Sequence, residues 1–99
     1  MDLADLRASL HEAAPPPGLP ALVEALWHAA KGNWDRAHAI AQDDGSGEGA
    51  WVHAYLHRVE GDEGNAGYWY NRAGKPHCRA SLDEEWTALA ETLLQGAPL

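Results

Sequence analysis

The chain contains no phenylalanine and only one cysteine, and it is poor in β-branched residues. Among its 99 residues, valine, isoleucine and threonine together number six, so a β-sheet would lack its usual material. A single cysteine cannot form an intramolecular disulfide. Alanine occurs nineteen times, and alanine, leucine and glutamate all favour helices. We therefore expect an all-α fold, with residues 1–99 forming one domain.

Basic residues are also scarce, and their scarcity excludes a large class of function. Seven lysines and arginines stand against fifteen acidic residues, which gives a formal charge of -8. Because affinity for nucleic acids depends mainly on neutralising phosphates, neither DNA nor RNA is expected as a partner. The sequence shows no signal peptide and no apolar run of transmembrane length, so we expect a cytoplasmic protein that does not bind membranes. No motif indicates a cofactor.

Apolar residues recur at helical spacing in about six segments, which glycine and proline separate. Residues suited to the N-cap position precede three of the predicted helices: Asn33, Asp62 and Ser81. The segment 43–49, rich in glycine and acidic residues, predicts a loop before a helix that starts near Trp51. Gly96 and Pro98 are expected to follow the last helix.

The middle of the chain contains a faint internal repeat. Six pairs of identical residues are separated by 29 positions: Ala21 and Ala50, Val23 and Val52, Ala25 and Ala54, His28 and His57, Gly32 and Gly61, Ala37 and Ala66. The pattern predicts two helix-turn-helix units, over about residues 20–44 and 49–76, with one further helix at each end. Terminal helices of this kind would cover the apolar ends of a stacked pair.

The turn and second helix of each unit, GNWDRAHAIA and GDEGNAGYWYNRA, resemble tetratricopeptide-like repeats. The second unit has the small, acidic and aromatic residues of that pattern: Gly61, Asp62, Ala66, Tyr70 and Ala73. The first unit departs from it, with Ala41 in place of the aromatic and Asp44 in place of the last alanine. The stretch ALWHAAKGNWDRAH followed by WVHAYLHRVEGDEGNAGYWYNRAGKP is also similar to a group of small bacterial helical proteins of unestablished function. These resemblances imply an architecture and no activity.

Two histidines on the predicted fourth helix are candidate metal ligands. His53 and His57 are four residues apart, so their imidazoles lie on one side of the helix. Ala54 stands where a zinc protease has its glutamate, so that mechanism lacks its general base. Further ligands would have to be recruited by the fold from a small set: His28, His38, Glu60 and His77. We expect histidines packed between helices, with a metal-binding or small enzymatic protein centred on His53 and His57 as the alternative.

Other enzymatic interpretations have less support. No serine lies in the strand-to-helix turn that serine hydrolases use, and the glycine-rich segment near residue 45 lacks the lysine of a phosphate-binding loop. Cys78 follows His77 after a proline, and we expect both residues to lie in a polar connector without a special role, although a ligand pair or a reactive thiol is an alternative. An enzyme is therefore less favoured than a binding module.

Eight aromatic residues suggest a role in binding, because such side chains dominate protein interfaces. Most of them should form the core, and Trp27, Trp69 and Trp86 fall on apolar stripes. In the run Tyr68, Trp69, Tyr70, however, the three rings span too wide an arc, so one tyrosine should be exposed. Our principal prediction is a module that binds a protein or peptide through Trp51, Tyr55 and Arg58. The exposed aromatic could alternatively mediate homo-oligomers. Arg58 and Arg72 are also expected to form ion pairs across the turn to Glu60 and Asp62.

Overall fold

The computed structural model describes residues 1–95, which form six α-helices and no strand. The helices are α1 (Leu3–Ser9), α2 (Ala21–Ala30), α3 (Trp34–Gln42), α4 (Gly47–Val59), α5 (Glu63–Ala73) and α6 (Leu82–Leu94). The predicted all-α fold with about six helices is confirmed. The prediction that Gly96 and Pro98 follow the last helix concerns positions outside the described residues. Within residues 1–95 no helix is both long enough and apolar enough to cross a membrane.

The helix ends follow the local sequence. The side chains of Asn33, Asp62 and Ser81 each accept a hydrogen bond from a backbone N–H in the first turn of α3, α5 and α6, as predicted. The turns within the two hairpins, α2–α3 and α4–α5, contain Gly32 and Gly61 with φ of 83° and 86°. Because side chains strain this left-handed backbone, glycine at both turns makes the two hairpins locally equivalent.

One boundary was predicted wrongly. Helix α4 begins at Gly47, inside the segment predicted as a loop, and not near Trp51. The cap is Ser46, whose hydroxyl accepts a hydrogen bond from Gly49 N at 3.0 Å. Gly49 is also tightly enclosed, since a Cβ there would lie 2.5 Å from the carbonyl oxygen of Asp44. The three glycines of this segment therefore obscured a regular N-cap and a first helical turn.

Helix α4 is the central element, packing against α2, α3, α5 and α6. On one side of α4, Leu56 packs in the main core with apolar residues from α1, α2 and α6, among them Leu6, Leu26, Trp86 and Leu89. Indole N–H groups fix the registers between helices, because Trp86 Nε1 donates to Leu26 O at 2.9 Å and Trp34 Nε1 to Leu56 O at 2.7 Å. Two polar clusters lie at the other contacts of α4, one towards α3 and one towards α6.

The three aromatic residues in the run on α5 differ in exposure, as the arc of the helix predicted. Tyr70 is 1% exposed, whereas Tyr68 is 54% exposed, so the predicted outward tyrosine is Tyr68. Trp69 is only half-buried, although it was predicted to be in the core with Trp27 and Trp86, which are both buried. Three consecutive residues thus face three different surroundings. This division supplies one ring to each of the two polar clusters and one to the solvent.

Candidate functional site

Three histidines converge between α3 and α4. His38 comes from α3, and His53 and His57 come from successive turns of α4. One ring nitrogen of each histidine lies within 4.8 Å of the other two. The Nε2 atoms of His38 and His53 are 2.9 Å apart, and the rings of His53 and His57 are stacked with centroids 4.9 Å apart. We call these three residues the histidine cluster.

Tryptophans from both neighbouring helices hold the cluster in place. Trp34 lies one turn before His38 on α3 and stacks on its ring at a centroid distance of 4.6 Å. Trp69 of α5 stacks on His53 at 3.7 Å, with the two planes inclined by only 10°. His53 is 4% exposed and His57 6% exposed, while His38 is half-buried. The rings are therefore packed between two tryptophans, with His38 the most accessible of the three.

Burial and mutual repulsion keep two members of the cluster uncharged. The pKa of His53 is lowered to about 4, first by desolvation and then by His38 and His57. The pKa of His38 is also lowered by desolvation and by His57, against the opposing effect of Glu60 and Asp35. A neutral imidazole has a lone pair on one ring nitrogen, which is the form that binds a metal ion. At neutral pH both residues are thus in the ligating state.

A carboxylate orients the third histidine. His57 Nδ1 lies 2.6 Å from Glu60 Oε1, one turn further along the chain. When Nδ1 donates its proton to this carboxylate, the lone pair of the imidazole is placed on Nε2. Metal-bound histidines usually have such a carboxylate or carbonyl partner, which fixes the ring and raises its basicity. Glu60 therefore has the position of an outer-sphere residue of a metal site.

The spacing of two of the three nitrogens is close to that required by a tetrahedral ion. Zinc–nitrogen bonds of about 2.0–2.1 Å place tetrahedral ligands about 3.3 Å apart. The Nε2 atoms of His38 and His53, at 2.9 Å, would separate by about 0.4 Å as an ion replaced the proton between them. Side-chain rotation accommodates a change of this size. A nitrogen of His57 lies within 4.8 Å of both and would have to come closer to complete three nitrogen ligands, with a fourth position for water or another donor.

The other ligands suggested by the sequence lie elsewhere. His28 Nε2 is 3.4 Å from Glu24 Oε2, one turn earlier on α2, and His77 Nε2 is 2.7 Å from Glu63 Oε1. His28 does not join His57, although the repeat gives them equivalent positions. The fold selects His38 from the predicted set because Trp34 sets the register of α3 against α4. Neither helix periodicity nor the repeat indicates that pairing.

The residues predicted to bind a partner are largely engaged within the chain. Tyr55 is 6% exposed and Trp51 is half-buried. Arg58 donates from one guanidinium nitrogen to Glu85 Oε1 and from another to Ala80 O, both at 2.7 Å. The expected ion pair from Arg58 across the turn is therefore wrong, because its partner is on α6. The irregular connector of residues 75–81 passes over this part of α4.

Glu85 is the centre of a second buried polar cluster. Its carboxylate accepts hydrogen bonds from Arg58, from Trp51 Nε1 at 3.0 Å and from the Tyr70 hydroxyl at 2.5 Å. We call these four residues the carboxylate cluster. The sequence analysis missed Glu85, because one glutamate in a run of three acids at a helix start gives no signal of burial. Only the docking of α6 against α4 and α5 identifies it.

The carboxylate cluster keeps its tyrosine protonated. The pKa of Tyr70 is raised, mainly by burial and then by its hydrogen bond to Glu85. Burial also raises the pKa of nearby Tyr55 to about 12, with a smaller contribution from Glu85. Each polar group here has an opposite charge or a hydrogen-bonding partner. The cluster is therefore complete as it stands.

Comparison of the chain with protein-family models, with curated proteins and with solved structures finds no match. The resemblance to tetratricopeptide-like repeats accordingly stays a prediction. Function has to be argued from the chemistry of the two clusters.

Proposed function

We propose that this protein binds a divalent transition metal ion, tested first as zinc, through His38, His53 and His57. One observation carries the proposal: nitrogens of three imidazoles from two helices lie within 4.8 Å of one another inside an aromatic enclosure. Imidazole suits zinc, copper, nickel and iron, so the donor set defines a class of ions.

The hydrogen bonding of the cluster favours a ligand site over a packing arrangement. A buried histidine is ordinarily satisfied by a carbonyl or a carboxylate, since burying polar groups without partners is costly. Here His38 and His53 instead bond to each other, which requires one ring nitrogen to donate and the other to accept. A metal ion would be bound by both Nε2 atoms and by His57 once the donating ring has shifted its proton from Nε2 to Nδ1. Within residues 1–95 only His57 of the three has a carboxylate partner, and Glu60 takes its Nδ1, which leaves Nε2 as its free nitrogen.

The consequence of binding would be a cross-link between α3 and α4. An ion bound only by the folded chain stabilises it in proportion to the logarithm of its concentration over Kd. With free zinc at a hundred times Kd, the gain is about 2.7 kcal/mol, and for a domain of this size that raises Tm by roughly 10 °C or more. The hydrogen bond from Trp34 to Leu56 already holds the two helices in register, so the ion would find a nearly formed site.

Titration calorimetry tests the proposal. Protein freed of tags and of metal with EDTA is titrated with zinc chloride, and one ion per chain is expected to bind. His53→Ala should reduce the affinity by at least about a hundredfold, because two imidazoles alone make a weak site. The matched control is His28→Ala, which removes the histidine at the equivalent repeat position and should leave the affinity unchanged. Cobalt should give the intense visible bands of tetrahedral coordination in the wild type.

Two results would refute the metal site: no saturable binding of zinc, cobalt, nickel or copper, or an equal loss of affinity in the His28→Ala control. A binding role for Trp51, Tyr55 and Arg58 stays a prediction without structural support of its own. A pull-down with Trp51→Ala as the comparison would test it. Metal binding has the stronger geometric basis.

A further inference from the structure

A recess lies between the connector of residues 75–81 and the helices α4, α5 and α6. Its volume is about 460 Å³, which lies within the range of small-molecule sites. Trp51 of α4 and Tyr70 of α5 form part of its floor, and Ala88 of α6 lies on one wall. Residues 75–80 of the connector form the opposite wall. The histidine cluster does not line this recess, which we call the connector cavity.

The floor of the connector cavity is rigidly built. The indole N–H of Trp51 and the hydroxyl of Tyr70 both donate to Glu85, so neither ring can turn without losing a buried hydrogen bond. Arg58 neutralises the same carboxylate and also binds Ala80 O, which attaches the connector to α4. The cavity therefore does not have to be assembled when a ligand enters, which lowers the cost of binding.

The charges at the rim are unusual for so acidic a chain. Lys75 and Arg79, two of only seven basic residues, both line the cavity. The ammonium of Lys75 lies 4.2 Å from the centroid of the Trp51 ring, and within residues 1–95 neither cation forms an ion pair. The carboxylates that face the cavity are Glu84, bonded to the N-cap of α6, and Glu85, already paired with Arg58.

We propose that the connector cavity binds a small organic anion with an apolar body, such as an aryl or branched carboxylate. Lys75 and Arg79 bind the anionic group at the rim, and the apolar body lies against Tyr70 and Ala88. An anion there would pair with the ammonium of Lys75, which lies over the Trp51 ring. A cation on an aromatic face retains most of its capacity for hydrogen bonding. The inference is independent of the metal site, since the two share no residue.

Displacement of a fluorescent anion tests this proposal. With EDTA present, 8-anilinonaphthalene-1-sulfonate should bind the folded protein one to one, and 4-phenylbutyrate should displace it while its uncharged methyl ester does not. Lys75→Glu with Arg79→Glu should weaken the binding of both anions by about tenfold or more, because each lost contact is a hydrogen bond to a charged group. Ala88→Phe, which fills the cavity from an exposed position, should abolish binding.

Arg36→Glu with Arg72→Glu is the control for long-range charge, since it makes the same change of charge at two basic residues that do not line the cavity. Circular dichroism of each variant establishes that it remains folded. Three results would each overturn the proposal. They are equal binding by the Lys75 and Arg79 double variant, displacement by the ester as well as by the acid, and no binding to the folded wild type. Displacement only by peptides ending in an apolar residue would also overturn it, in favour of a peptide site.

Discussion

Helix α4 has a buried polar cluster on each of two sides, and the two are built differently. In the carboxylate cluster, the charge of Glu85 faces the charge of Arg58, and two further donors complete its hydrogen bonds. In the histidine cluster, three residues of the same type face one another. Buried polar groups that satisfy each other are explained by the fold alone. Three imidazoles whose main polar partners are one another are explained better by a shared ligand. This difference identifies the histidine cluster as the candidate metal site.

The run Tyr68, Trp69, Tyr70 shows the same contrast within three residues. Trp69 stacks on His53, Tyr70 donates to Glu85, and Tyr68 is exposed. Substitutions here probe one cluster at a time without moving to another helix. They provide matched controls for the predictions below.

The largest effect is expected when the carboxylate cluster is broken. Glu85→Ala should lower the free energy of unfolding by about 3–5 kcal/mol, because it leaves the buried guanidinium of Arg58 without its counter-charge. Urea denaturation measures the loss. The double variant Arg58→Met with Glu85→Leu should recover only the part of this loss that comes from the unpaired guanidinium, because Tyr70 and Trp51 still lack their acceptor. A loss below about 1 kcal/mol for Glu85→Ala would mean that the cluster does not hold the fold.

Acid should act on the histidine cluster of the metal-free protein. The pKa of His53 is about 4 in the folded chain and near 6.5 when unfolded, so below pH 6.5 the unfolded chain takes up a proton that the folded chain does not. The free energy of unfolding should therefore fall by up to about 3 kcal/mol between pH 6.5 and pH 4. Denaturation at a series of pH values measures the slope.

The control for the acid effect is His53→Phe, which should lose this part of the slope and keep the remainder. Equal slopes in the two proteins would contradict the assignment to His53.

An intermediate effect is expected from one hydrogen bond of the carboxylate cluster. Tyr70→Phe keeps the ring but removes a donor to Glu85, so thermal unfolding should show a loss of about 1.5–3 kcal/mol. The matched variant Tyr68→Phe changes an exposed tyrosine two residues away and should stay within about 0.5 kcal/mol of the wild type. Similar losses in the two variants would remove the distinction between the clustered and the exposed tyrosine.

The smallest effect on stability is expected from a substitution in the proposed metal site, which should have the largest effect on metal binding. Without metal, His53→Phe should change the free energy of unfolding by less than about 1.5 kcal/mol, because a ring of similar size can stack on Trp69. With zinc present, the wild type should be stabilised and the variant should not. Comparing the two proteins by thermal unfolding with and without zinc provides the measurement. A large loss in the metal-free state would assign His53 to the fold, as Glu85 is assigned.

Local sequence patterns predicted much of the fold. Alanine content and apolar spacing indicated the helices, the polar caps indicated three of their starts, and the glycines at positions 32 and 61 indicated the hairpin turns. These features depend on residues close together in the chain, so one sequence is enough to reveal them. The start of α4 was missed because neighbouring glycines weakened the signal of the Ser46 cap.

Only part of each candidate site could be predicted from the sequence. The spacing of His53 and His57 placed two imidazoles on one side of a helix, which is a property of the helix itself. The choice of His38 as the third member, and the burial of Glu85 against Arg58, required contacts between residues 15 and 27 positions apart. Those contacts depend on how the helices dock, which no local pattern reports. The sequence by itself determined the helices and one pair of ligands, whereas tertiary packing decided which polar residues meet, because side chains on different helices become neighbours only when their apolar faces are buried together.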